Sequence, residues 1–269
     1  VRPFLRFPVN HHWAQILERA GVAASARYGP VGLEGSLFNG DEPESPGQWP
    51  NWERFGDSWA LRAFAWPVRG LELQGSYASV ASPEHRPGDG LGQRKGSASA
   101  RWEGPIGTVR TYGLAEWART SEAGGAFEYG SVLVEGAAWM GAHRLSYRFE
   151  RTSRPEEERL PDDLFRSVRP HLDDNIVGAT RWTLHTLNYA VQFRFAEERV
   201  GAMPFVEVTV GGVARAADGL FDPEAFYGTT GVRTVTLGVR LDVGGVMRRM
   251  GRYGVVEGRD ASLDAGHHH

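Results

Sequence analysis

Arginine and carboxylate residues recur at alternate positions through much of this chain, in the more polar register of each segment. Arg27, Glu34, Arg62, Glu72, Arg101, Glu116 and Glu135 occupy that register in successive segments. Glu103, Arg110, Arg144, Arg148, Glu150, Arg194, Glu207, Arg240 and Asp242 continue it. The chemistry open to such groups is electrostatic. Opposed rows of guanidinium and carboxylate set a transverse field that sorts hydrated solutes by charge and size. A plainer reading has them pair across neighbouring strands and keep one face of a wall polar. Both readings need strands, because a period of two is what places alternate charges on one face.

Other residues offer chemistry less directly. His11 and His12 are adjacent, so they diverge on a helix or strand, whereas two ligands on one helical face need i, i+4 spacing. Glu18 lies seven positions beyond His11 and can share its helical face. With Asn10 placed as an N-cap, the stretch from His11 and His12 to Glu18 and Arg19 reads equally as a short capped helix anchoring a loop. No metal site is assigned. His185 falls in the apolar register of its strand with no nucleophile beside it, and no catalytic residue is assigned. The segment 152–180 contains "PEEERLPDD" and "HLDDN", carboxylates that suit divalent cations, but the spacing matches no EF-hand and a solvated acidic loop is expected.

The strands that must carry these residues are written as alternation. In "GVRTVTLGVRLDVGG", Val235, Leu237, Val239, Leu241 and Val243 share one face, while Thr234, Thr236, Gly238, Arg240 and Asp242 share the other. "WTLHTLNYAVQFRFA" separates Leu187, Tyr189, Val191, Phe193 and Phe195 from Thr186, Asn188, Gln192 and Arg194 in the same way. Similar segments at roughly 22–28, 31–38, 58–67, 71–80, 96–103, 108–119 and 127–140, with those near 145, 187, 207 and 239, predict eleven strands. Nothing between them has helical spacing, so a parallel βαβ fold is excluded.

Alternation does not say which face meets water. A soluble sandwich turns its apolar register inward, whereas a transmembrane barrel turns it to lipid and lines a polar lumen with charge. Strand length, aromatics at strand ends (Tyr28, Trp59, Trp66, Trp102, Trp117, Trp139 and Trp182) and the connections favour the second. Connections alternate short ("YGP", "WPVRG", "EGPIG", "MGA", "EERVG") with longer (39–57, 81–95, 120–126, 152–180, 216–231), as short periplasmic turns and long outer loops do. The fold class expected is all-β, an antiparallel transmembrane β-barrel. Residues 1–21 form a loop with a short helix, 22–245 the barrel strands and loops, and 246–269 a periplasmic tail ending in a tag-like His267, His268 and His269.

Composition narrows the function classes. A formal net charge of −3 gives no reason to expect nucleic acid, and the absence of cysteine removes disulfides and thiolate chemistry. No apolar run reaches the roughly 20 residues of a membrane helix. The chain opens at Val1 without a methionine and shows no signal peptide, so a processed protein or a part of a larger one is expected. No cofactor motif is present.

The stretches "RPFLRFPVNHHWAQILERAGV", "YGPVGLEGSLFNGDEP" and "MGRYGV" resemble sixteen-stranded outer-membrane porins, and among them the phosphate-selective porin O/P group. The resemblance is spread over residues 1–255 and has no ligand motif. It implies a bacterial outer-membrane location and passive diffusion of small hydrophilic solutes or anions. It also implies a lipid bilayer as partner and a homotrimer as an assembly to expect. It would make 1–20, with His11, His12, Glu18 and Arg19, an inward-folding constriction loop before a sixth strand, five further strands lying upstream. One departure is the tail after Val243, where such porins end on an aromatic residue. A plugged scaffold barrel that binds a partner through its long loops, and a soluble β-protein, remain alternatives.

Overall fold

The computed structural model describes residues 20–40, 49, 51–81, 91–125, 127–157, 176–195, 200–216 and 221–243. Over these residues the chain is all-β. The strands are β1 (Gly21–Tyr28), β2 (Val31–Phe38), β3 (Ser58–Ala65), β4 (Leu71–Val80), β5 (Gln93–Ile106) and β6 (Val109–Glu122). They continue as β7 (Phe127–Met140), β8 (His143–Glu157), β9 (Ile176–Val191), β10 (Phe193–Phe195), β11 (Val200–Arg215) and β12 (Gly231–Val243), with one short helix, α1 (Pro223–Tyr227), before β12. No helix among the described residues is long and apolar enough to cross a membrane.

All strand pairs are antiparallel, and spatial order follows chain order. The eleven expected strands are present; β10 is a twelfth only because the β9 run breaks at Gln192. The Gln192 amide there donates to the carbonyl of Ala142 in the neighbouring turn at 2.8 Å, and β10 resumes pairing with β11 at Phe193↔Ala202. Two-residue turns close β1–β2, β5–β6 and β7–β8, with Gly29, Gly107 and Gly141 in first place at φ of 56°, 62° and 58°. A glycine there at positive φ is what a type II′ hairpin demands.

The register gives the wall its slope. One ladder of directly opposed residues runs Tyr28, Val31, Ala65, Leu73, Ala100, Ala115, Val134, Phe149, His185, Val210 and Arg233. It starts at the turn end of β1 and finishes on β12 ten residues short of that strand's corresponding end, Val243. The stagger is therefore one residue per strand. At ~3.3 Å rise per residue and ~4.8 Å between strands, this inclines the strands by about 35°, the tilt that closing a barrel requires. Among the described residues β1 and β12 do not pair with each other, so the described sheet is an open wall.

Burial is the reverse of a soluble sheet. Thr186, Asn188, Glu207 and Thr209 on the charged face are buried, Glu207 to 3 % exposure. Leu187, Tyr189, Val208 and Val210 on the opposite face of the same two strands are exposed. The charged-face side chains cover one another, as they must on the inside of a curled sheet. The apolar face has no such cover: Leu237 is 77 % exposed.

Candidate functional site: the charged face

The predicted charges do share one face, by strand parity. Glu34 and Arg62 stand directly opposite on β2 and β3, and Arg62 Nη2 lies 2.6 Å from a Glu34 carboxylate oxygen. Glu135 of β7 opposes Arg148 of β8. Arg148 reaches it at 3.6 Å and Glu150 along its own strand at 2.8 Å. The Tyr112 hydroxyl donates to Glu135 at 2.7 Å. Arg101 and Arg110 both approach Glu103, at 3.2 and 3.5 Å. Trp66 Nε1 donates to Glu72 at 3.2 Å.

The centre of the face is a continuous polar chain. Arg144 donates to Asn188 Oδ1 at 3.0 Å, and Asn188 Nδ2 donates to Glu207 at 3.2 Å. The Thr186 and Thr209 hydroxyls lie 3.0 Å apart one rung away. Arg240 of β12 is within electrostatic reach of Arg144. A shallow crevice between these groups is lined by Tyr112, Glu135, Ser146, Arg148, Thr186, Asn188 and Glu207.

Ion pairs or hydrogen bonds thus hold most of these charges, with exceptions. Among the described residues Glu116, Arg194, Arg240 and Asp242 enter no ion pair, and Arg27 instead lies 4.2 Å over the Trp66 ring. Several paired groups also keep unused hydrogen-bonding capacity: Glu34 Oε1, Arg62 Nε, Arg144 Nε and Arg148 Nε are buried without a protein partner. Buried polar atoms are ordinarily satisfied, so these four are exceptions on this face.

Three aromatics belong to a different face from the one expected. Trp66, Trp139 and Trp182 fall on the charged face, because parity and not nearness to a strand end decides where a ring points. Arg110 lies 5.3 Å over Trp139, and Trp182 Nε1 donates to Thr180 at 3.0 Å. Tyr28, Trp59, Trp102 and Trp117 are on the apolar face as expected. His185 is there too, its Nδ1 2.7 Å from the Tyr147 hydroxyl.

One element of this face was not foreseen. The connection from β11 to β12 lays α1 across β8 and β9 at the long-loop end. The Tyr227 hydroxyl donates to Glu156 Oε2, and Thr180 donates to Glu156 Oε1. Arg154 is 3.5 Å from the same carboxylate, and the Tyr227 ring packs edge-on to Trp182 at 5.3 Å. The signal was in "DPEAFYG": Asp222 caps the helix by accepting from the Glu224 amide at 3.0 Å, Pro223 sits in the first turn, and Gly228 ends it at φ 72°. Acid, proline and glycine in that order mark a helix start and stop. His11, His12, Glu18, Arg19, the acidic segment 158–175 and the tail 246–269 lie outside the described residues. Among the described residues no group of three or more metal-ligating side chains is gathered.

The fold and site together define a class: an antiparallel, sheared β-wall with its charged face buried and its apolar face bare. Neither a protein-family model, nor a curated protein, nor a solved structure matches the chain.

Proposed function

We propose that this wall belongs to a bacterial outer-membrane β-barrel, a porin that lets small hydrophilic solutes or ions diffuse through a charge-lined lumen. The observation that carries the reading is the inverted burial. A polar face buried against itself and a broad apolar face left bare suit a protein whose outside is hydrocarbon and whose inside is wet. The height of the apolar face agrees. On β12 it runs from Val243 to Val235 and ends at Arg233. Eight residue steps at ~3.3 Å, inclined by about 35°, rise about 22 Å, near the ~25 Å apolar band of such barrels. Trp117, eight residues from the short-turn end of β6, sits near the upper margin where interfacial rings belong.

The paired charges make the lumen polar without a net preference, and the unpaired Glu116, Arg194, Arg240 and Asp242 are the groups left to face solute. The test is the purified full chain in planar bilayers. Stepwise, ohmic conductance is expected; an electrically silent, membrane-inserted protein overturns the pore. That silent result would favour a plugged scaffold barrel, and α1 folded over β8 and β9 is the observation on its side. The resemblance to phosphate-selective porins makes anions the first solutes to test.

A further inference from the structure

The apolar face does not fade into the long loops; it stops at arginine. Counted from the short-turn end of each strand, Arg94 is twelve residues from Ile106 and Arg119 is ten from Val109. Arg151 is eight from His143, Arg181 ten from Val191 and Arg233 ten from Val243. All five carry the parity of the apolar face. Because every strand has the same slope, distance along a strand measures level, so these residues form a collar, a band about four residues deep, roughly 11 Å, around the outside of the wall. Arg119 is ion-paired with Glu128 of β7. Arg94, Arg151, Arg181 and Arg233 enter no ion pair among the described residues.

The collar is densest between β8 and β9. There Arg151 opposes Thr183, and Ser153 opposes Arg181. The two rungs are consecutive on this face, so two guanidinium groups and two hydroxyls stand at the corners of one square, the arginines on its diagonal. Diagonal neighbours lie roughly 7–8 Å apart, a span that two long side chains can close around one anion. Val132 lies beside Arg151 on its own rung, and the rungs below pair Phe149 with His185 and Tyr147 with Leu187. Two cations side by side without a carboxylate repel each other; a phosphate between them removes the repulsion and accepts planar, bidentate bonds from both.

Resting on the membrane reading above, we propose that Arg151, Arg181, Ser153 and Thr183 bind the phosphate of an anionic lipid headgroup, with Arg94, Arg119 and Arg233 extending the contact around the collar. The occupant is a lipid rather than a soluble anion because the square faces outward. It also sits where acyl chains against Leu187 and Val208 end and headgroups begin. The lumen charges have no part in it.

Quenching of tryptophan fluorescence by brominated lipid tests this in the full chain. Trp117 lies on the same ladder as Arg151 with Val132 between them, so a full chain in which the other tryptophans are replaced by phenylalanine reports lipid beside the square. Vesicles mix phosphatidic acid and phosphatidylcholine, with bromine on one lipid at a time. Phosphatidic acid is expected to quench beyond its mole fraction, with a preference on the order of fivefold or more. The double variant R151Q/R181Q should bring the preference to unity, and R151K/R181K should keep most of it. In the unaltered chain, about 1 M salt should weaken the preference by screening, which tests the proposal even if a variant fails to fold. Equal quenching by both lipids, or a preference indifferent to salt, overturns the collar while leaving the membrane reading intact. Absence of quenching by either lipid removes the membrane reading itself.

Discussion

The Tyr227 hydroxyl, on the connection between β11 and β12, donates to the carboxylate of Glu156 on β8. The bond joins residues 71 positions apart and crosses over β9. Glu156 is 1 % exposed, held also by Thr180 and Arg154. This places a strap, and not only a wall, at the long-loop end of the charged face.

If the wall encloses the proposed pore, releasing the strap should widen it. Tyr227→Phe keeps the ring against Trp182 and deletes the hydroxyl that Glu156 accepts from. The expected result is a larger single-channel conductance in planar bilayers, with a stability loss of about 1–3 kcal/mol from the orphaned buried carboxylate oxygen. Tyr227→Ala, which also removes the ring contact, should raise conductance further. An unchanged conductance in both variants would show that α1 does not lie in the ion path.

On the proposed pore reading, the charged-face pairs make a prediction about selectivity. Arg62 and Glu34 are directly opposed and 2.6 Å apart, so removing either charge exposes the other. Glu34→Gln should shift the zero-current potential in a salt gradient toward anion selectivity, and Arg62→Gln toward cations by a comparable amount. The double variant should return to the value of the unaltered chain, since its net charge is restored. Each single variant should also lose stability, because breaking a desolvated pair costs more than the pair contributes intact. Two shifts of the same sign would mean that this pair does not face the permeating ion.

Much of this architecture was legible because alternation is a local property. On β12 the assignment of Val235, Leu237, Val239, Leu241 and Val243 to one face holds residue for residue, and the charges of β2 to β8 fall on the expected side. What was not legible depends on partners distant in sequence. The split of β9 at Gln192 comes from an amide bond to a turn on β8. The arginines that lie over Trp66 and Trp139 on the charged face, Arg27 and Arg110, come from other strands. The square of Arg151, Ser153, Arg181 and Thr183 needs the β8–β9 register, which no single segment contains.

Packing on the charged face is tight where a ring lies over a glycine. Gly238 directly opposes Phe205, and a Cβ added at Gly238 would stand 2.7 Å from the tip of that ring. Gly238→Val should then destabilise by about 1–3 kcal/mol through overpacking, read as a lower midpoint in urea refolding. Shrinking the ring in the double variant G238V/F205L should recover most of the loss, a coupling that two independent defects would not show. Additive losses would mean that the ring does not rest on the glycine.

The apolar face supplies the prediction that separates a lipid-facing wall from a water-facing one. Leu237 is 77 % exposed and sits six residues from Val243, about midway up the bare face of β12. If water covered this face, Leu237→Arg would change stability by no more than about 0.5 kcal/mol, as surface substitutions away from special features do. In hydrocarbon the same change costs about 2–4 kcal/mol near the midplane and little near the margin. Equilibrium folding into phosphatidylcholine vesicles should show a large loss for Leu237→Arg. Val243→Arg, at the edge, should show a small one. The gradient matters more than either value, because only a bilayer gives one chemical change a cost that depends on height along the strand. A flat profile from Val243 through Leu237 to Val235 would remove the barrel from the membrane, and with it the pore and the lipid collar.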